Sequence, residues 1–213
     1  MMRHRGNRED AVTLVELVIV LVVSGILCVM TPILIFHGVK TLVYLPKALA
    51  VNEAAMEALH QMVEGGFSTL SGQTVRGLRF AVRRSATEPA LWLAETDRIG
   101  FLTSDGQRVL IRWDSELIKR SLPASTACPP AIPAPSDEEV LPDQAEGIVR
   151  IPTTGSLFQY YNQSGGVIAA PGCASAAAVR RVDIAFTAQT GTGNFDQGNA
   201  SEKITSSVAI RVP

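Results

Sequence analysis

From Ala11 to Phe36 the chain is apolar on every side, and the one carboxylate in that run is Glu16. A run with no polar face predicts a helix solvated by lipid, since about 20 such residues cross a hydrocarbon core of ~30 Å. Beyond Phe36 the apolar positions thin out to Val39, Leu42, Val43, Leu49, Ala54, Met56, Leu59 and Met62, at mostly helical spacing. Gly65-Gly66 ends that pattern. The prediction is a membrane helix over 12–36 and an amphipathic helix over 37–65, whose stripe from Leu49 to Met62 lies against a sheet. Pro46 is expected to kink or interrupt the second helix, because it lacks an N–H and its ring crowds the preceding turn.

From Gln73 onward the period shortens to that of strands separated by turn residues. Strands are predicted over Val75 to Val82, Leu91 to Ala94, Arg98 to Leu102, Arg108 to Trp113 and Glu116 to Arg120. A charged Glu95-Thr-Asp turn and an Asp105-Gly106 hairpin lie between them. Further strands are expected at Ile148 to Ile151, Leu157 to Tyr161, Val179 to Thr187 and Ile204 to Val212, with a Gly/Asn-rich loop over Gly191 to Asn199. Val179 to Thr187 alternates best. The fold class is therefore α+β, a long N-terminal helix on an antiparallel β-rich domain over 73–213.

Residues 121–146 differ in composition, with many prolines and the acids Asp137, Glu138, Glu139, Asp143 and Glu146. So little apolar surface does not offset ordering entropy, and a long surface loop is expected. Carboxylates suit calcium, but the spacing matches no calcium-binding loop, and a solvated acidic loop is the expectation.

Arg3, Arg5 and Arg8 precede the apolar run, and Lys40 and Lys47 follow it. The positive-inside rule favours a cytoplasmic N-terminus and an external C-terminal domain on a single-pass chain. A formal net charge of −1 gives no surface for nucleic acid. Of the three cysteines, Cys28 falls in the apolar run as a small hydrophobe. Cys128 and Cys173 fall in external loops, where an oxidising compartment lets a pair close. A bridge over about 45 residues stabilises by roughly 3–4 kcal/mol; two free thiols are the alternative.

The residues around Glu16 carry a resemblance. Val12-Thr13-Leu14-Val15-Glu16, after a small residue at Ala11 and before an unbroken apolar helix, resembles the processing motif of type IV pilins and type II secretion pseudopilins. The resemblance implies a leader over 1–11, cleavage between Ala11 and Val12 by a prepilin peptidase, and N-methylation of Val12. It implies that Glu16 pairs with a neighbouring subunit's N-terminus during assembly. It also implies the same orientation, cytoplasmic N-terminus and external C-terminal domain, in the bacterial inner membrane. The pattern departs from the family at Ala11, where glycine is usual, and at Val12, where Phe or Met is commoner. Gly25 takes the family's usual place, and Pro32 falls one residue before the customary proline. Within the β-rich part, Gly77-Leu-Arg-Phe80, Phe158-Gln-Tyr-Tyr161, Val179 to Ile184 and Ser207 to Arg211 resemble the J-type minor pseudopilins and W-type minor pilins.

A secretory signal peptide has an apolar core of roughly 7–15 residues, shorter than this one, and no Ala-x-Ala site follows. Leu27 is too bulky to precede a lipidated Cys28. A plain signal anchor explains the apolar run and leaves Glu16 without a role. For chemistry the external part offers little. The histidines are His4, His37 and His60, all N-terminal, so no Ser/His or Cys/His pair forms there. No HExxH, Walker loop or GxGxxG is present. Trp92, Trp113, Tyr160 and Tyr161 fall at strand positions and are expected to pack. The resulting expectation is a structural assembly subunit that is no enzyme and takes no cofactor or metal. Its expected partners are prepilin peptidase, other pilin-like subunits and the inner-membrane assembly platform. A membrane-anchored binding module that never polymerises is the alternative.

Overall fold

The computed structural model describes residues 13–83, 89–125, 133–141, 156–169, 171–173, 176–190 and 199–210. One helix, α1 (Leu14–Val63), runs for 50 residues. The chain divides into two units, Met1–Val43 and Tyr44–Pro213, and α1 contributes to each. Pro46 does not interrupt the helix, contrary to expectation. A proline removes one donor from the ladder, and the bonds on either side carry the helix past it.

Within the first unit no residue of α1 from Leu14 to Val39 is covered by protein. Thr31 and Thr41 satisfy their hydroxyls by donating to the carbonyls of Leu27 and His37, at 2.8 and 2.9 Å. That arrangement suits a helix with no water beside it.

The second unit begins with the rest of α1. Its buried face is Val51, Ala54, Ala55, Ala58 and Met62, a stripe at helical spacing. The predicted stripe is corrected here: Leu49 and Met56 are 61% and 52% exposed and point away from the core. Alanines make up three of the five buried positions on that face. The helix stops at Gly65, whose φ of 99° suits glycine. A Cβ there would lie 2.1 Å from the Val75 carbonyl oxygen.

Three antiparallel sheets follow. A two-stranded hairpin pairs β1 (Gly65–Ser68) with β2 (Gln73–Arg76). A five-stranded meander runs β3 (Leu91–Ala94), β4 (Arg98–Leu102), β5 (Arg108–Asp114), β6 (Leu117–Ser121) and β7 (Glu138–Leu141). A four-stranded sheet is built from β8 (Phe158–Tyr161), β9 (Val167–Ile168), β10 (Arg181–Gln189) and β11 (Ser201–Ala209), in the order β11-β10-β8-β9. In β10 every second residue is buried, placing Val182, Ile184, Phe186 and Ala188 in the core. One apolar cluster joins α1 to residues from all three sheets.

Two expectations change. The first predicted strand, Val75 to Val82, is only in part extended; β2 ends at Arg76 and Leu78–Phe80 forms a 3-10 turn. The predicted loop 121–146 contains the strand β7, paired to β6. Two of its acids are not solvated, while Asp137 is exposed as expected. Glu138 accepts two bonds from Arg112, at 2.5 and 2.7 Å, and Glu139 pairs with Arg120. The strand Ile148 to Ile151, the Gly191 to Asn199 loop except its last residue, residues 126–132 and 142–146, and the last residues of the C-terminal strand lie outside the described residues.

The β3–β4 turn joins the two larger sheets. The Tyr160 hydroxyl, from β8, donates to the Glu95 and Arg98 carbonyls at 2.6 and 3.2 Å. Phe158 N–H donates to Thr96 O at 3.1 Å, and Trp113 N–H to Asp97 O at 2.8 Å. Burial pushes the Tyr160 hydroxyl up, so it stays a donor. Beside that turn, β3 bulges between Leu91 and Leu93, which lays Trp92 over Gly100. A Cβ at Gly100 would meet the Trp92 ring at 2.6 Å. Gly100→Ala should therefore cost about 1–3 kcal/mol by overpacking, read as a lower denaturation midpoint.

The Arg120–Glu139 pair is the deepest charge, with side chains 2% and 8% exposed. Arg120 Nη2 donates to Phe67 O at 3.0 Å. Glu139 Oε2 accepts from Thr69 N–H and the Thr69 hydroxyl at 2.9 and 3.1 Å. The pair thus ties the β1–β2 turn to the edge of the meander. Burial alone pushes the Glu139 carboxyl up; Arg120 and the Ser68 and Thr69 donors outweigh it and hold it below the usual glutamate range. A carboxyl held low when folded stabilises above its unfolded value near ~4.3, and that contribution is lost as pH falls through the folded value. Arg120→Met alone should cost about 3–5 kcal/mol, whereas Arg120→Met with Glu139→Leu should recover most of the loss. Chemical denaturation at neutral pH and at progressively lower pH checks both points. The double variant should also lose less stability on acidification than the native protein.

Candidate functional site

Thr13 stands just before α1 and Glu16 is its third residue. The first intrahelical bond runs from Leu17 N–H to Thr13 O at 3.2 Å. Glu16 Oε2 accepts from Thr13 N–H at 2.8 Å and from the Thr13 hydroxyl at 2.9 Å. Glu16 N–H donates back to Thr13 Oγ1 at 3.3 Å. This is a capping box, in which a Ser/Thr-x-x-Glu sequence satisfies helix-end donors reciprocally. The spacing was legible as such, since Thr13-Leu-Val-Glu16 precedes an apolar run. The sequence reading gave Glu16 an intermolecular role and missed this local one.

Leu14 and Val15 lie between the two capping residues, 80% and 64% exposed. Ala11 and Val12, the expected cleavage and methylation positions, lie outside the described residues. Behind the cap the helix carries an 18-residue window of mean hydropathy 2.8, none of it buried in protein. It is the one helix among the described residues long and apolar enough to cross a membrane. Apolar surface on this scale calls for lipid or for other apolar helices. Lys40 closes the span, its ammonium 4.6 Å from the Phe36 ring centre.

The cysteines divide between the units. Cys28 is a free, exposed thiol on the apolar helix. Cys173 is disulfide-bonded; Cys128, its expected partner, lies outside the described residues. In the second unit the ionisable groups of the meander pair with one another. Lys119 donates to Asp114 at 2.7 Å and Arg112 Nη2 approaches the same carboxylate at 3.2 Å. The Glu138 hydrogen bond holds the Arg112 guanidinium above its ordinary value. The bond from Lys119 holds Asp114 below the usual carboxylate range. These groups neutralise each other on the sheet. Among the described residues no cluster of His, Cys, Asp and Glu is arranged to hold a metal ion. Trp92 and Tyr160 pack in the core as expected, and Trp113 packs against it. Tyr161 instead lies under Arg181, whose guanidinium is 3.9 Å from the ring centre.

The chain matches no protein-family model, no curated protein and no solved structure. The candidate site is therefore the capped apolar helix itself. If that helix lies in a bilayer, the Cys28 thiol should react slowly with a membrane-impermeant maleimide in sealed membranes and fast after detergent solubilisation. Equal rates before and after detergent would place Cys28 in water.

Proposed function

We propose that this protein is a minor pilin or pseudopilin, a structural subunit of a type IV pilus or a type II secretion pseudopilus. The observation that carries the reading is the Thr13-Leu-Val-Glu16 sequence at the head of a helix whose apolar surface no part of the chain covers. The overall architecture is compatible with it: one long N-terminal helix whose later turns pack on antiparallel sheets. In this reading prepilin peptidase cuts between Ala11 and Val12, the new N-terminus is methylated, and the subunit waits in the inner membrane. The N-terminus faces the cytoplasm and the sheets face outward. The assembly platform then moves it into contact with other subunits, where apolar helices replace lipid around α1. The outward side chains Leu45, Leu49 and Met56 extend that apolar contact into the second unit. The chain has no catalytic role in this reading.

The capping box favours a second reading. Thr13 already holds Glu16 by two hydrogen bonds, so the acid has a reason to exist without any neighbour. The protein would then be an anchored binding module that never polymerises.

Processing and assembly separate the two. The mature chain should begin at Val12 by intact mass or N-terminal sequencing of membrane-extracted protein; a chain that keeps Met1, or starts beyond Cys28, ends the pilin reading. Glu16→Gln retains an acceptor for Thr13 and loses the charge. On the pilin reading it should be cleaved and inserted normally, yet fail to enter the assembly, as Glu16→Ala should. Recovery of Glu16→Gln in the assembly at the native level would assign the carboxylate to helix capping alone.

A further inference from the structure

We propose that β11 is a docking edge that pairs with β11 of a second copy of this chain, antiparallel about Thr205. The inference concerns the outer sheet and is independent of how the N-terminal helix is read.

β11 pairs with β10 over nine residues without a bulge, from Arg181 opposite Ala209 to Gln189 opposite Ser201. Two flanking bonds fix which backbone groups face which way. Ile210 N–H donates to Arg180 O at 2.7 Å, and Thr190 N–H donates to Ala200 O at 2.9 Å. Even-numbered residues of β11 therefore turn their N–H and C=O toward β10. The odd-numbered residues, Ser201, Lys203, Thr205, Ser207 and Ala209, turn theirs away from the sheet. All five are exposed, and no described hydrogen bond uses those backbone groups.

The other edges are short or occupied. β3 exchanges bonds with Gly172, at 3.0 and 2.7 Å. β7 has four residues, with Glu139 engaged by Thr69. β9 has two residues. Proteins that must stay monomeric blunt a long edge with proline, a bulge or inward charge. β11 has no proline and no bulge, and Lys203 is the one charge among its outward-facing residues.

A second copy fits this edge in a way most strands would not. A two-fold axis at Thr205 sets Lys203 opposite Ser207 and Ser201 opposite Ala209. On the core side it sets Ile204 opposite Ser206 and Glu202 opposite Val208. No like charges face each other, and each outward N–H of one strand meets an outward C=O of the other. Ile204, Val208 and Ile210 are buried on that side, 8%, 4% and 6% exposed. The two Ile204 side chains meet diagonally across the axis, within reach for an apolar cross-strand pair. The two four-stranded sheets become one continuous sheet.

Cross-linking of the full-length protein in its membrane tests this. In a Cys28→Ala background, Thr205→Cys treated with a short bis-maleimide should give a covalent homodimer. Thr187→Cys, on the inner strand β10, should give about tenfold less, because its copies lie two strands further apart across the axis. Adding Lys203→Pro to Thr205→Cys removes one outward N–H and no bond to β10. Proline is tolerated at such an edge position, so the fold should survive, read by the retained Cys173 disulfide, while dimer yield falls about tenfold. The proposal is overturned by any of four results: no homodimer from Thr205→Cys, equal yield from Thr187→Cys, undiminished yield with Lys203→Pro, or capture of a different protein in place of a second copy.

Discussion

The second half of α1 closes one core with residues from three sheets, and most of its buried positions there carry small side chains. Ala54, Ala55 and Ala58, flanked by Val51 and Met62, form the buried face. Alanine also carries the best intrinsic helix propensity, so the same residues that permit close approach keep the helix intact there. The bulk of the core then comes from the sheets: Phe101, Phe158, Phe186, Tyr160 and the leucines and isoleucines around them. Larger residues in place of the three alanines would push the helix off and open every layer at once. The first half of the same helix obeys the opposite rule. Its side chains are large and exposed on every side, as suits a membrane anchor.

Polar groups then decide how the layers are held in register. The β3–β4 turn, three residues from Glu95 to Asp97, accepts backbone and hydroxyl donors from β5 and from β8. A turn that would otherwise be solvated thus fixes the four-stranded sheet against the meander. At the other edge, the Arg120–Glu139 pair holds the β1–β2 turn. Buried pairs of this kind add little net stability but are costly to break singly. The net effect is one arrangement of the layers and not a choice among several.

How much of this was legible from the residues depends on what each signal measures. β3 and β4 were read with their observed ends, and β5, β6, β8 and β10 within two residues: β10 by its period-2 alternation, and β3 and β4 as short apolar runs bounded by turn residues. β7 was missed because its composition, Pro-rich and acidic, reads as solvated until Arg112 and Arg120 are placed opposite it. No local pattern encodes those cross-strand partners. β1 was missed because Gly65-Gly66 signalled the helix stop and masked the strand that starts in the same place. The helical stripe was misassigned from a related cause: hydropathy ranks Leu49 and Met56 above alanine, while close packing prefers alanine. At the candidate site, the motif residues were found and their local hydrogen bonding was not, although the Thr-x-x-Glu spacing contained it.

That hydrogen bonding changes what Glu16 requires. A bare carboxylate at the head of an apolar helix needs a cation from another chain. A carboxylate that accepts two bonds from Thr13 is already satisfied while the subunit is alone, and two charge-assisted bonds lower the cost of keeping it near the membrane surface. Both bonds fall on the same oxygen, Oε2. The second oxygen, Oε1, engages no donor in the described hydrogen bonds, so an incoming ammonium has a vacant acceptor and need not unwind the cap first. A local role in capping and an assembly role are then compatible on one side chain. On the proposed pilin reading, the threonine three residues before the acid would set how tightly a subunit holds its carboxylate before another subunit arrives.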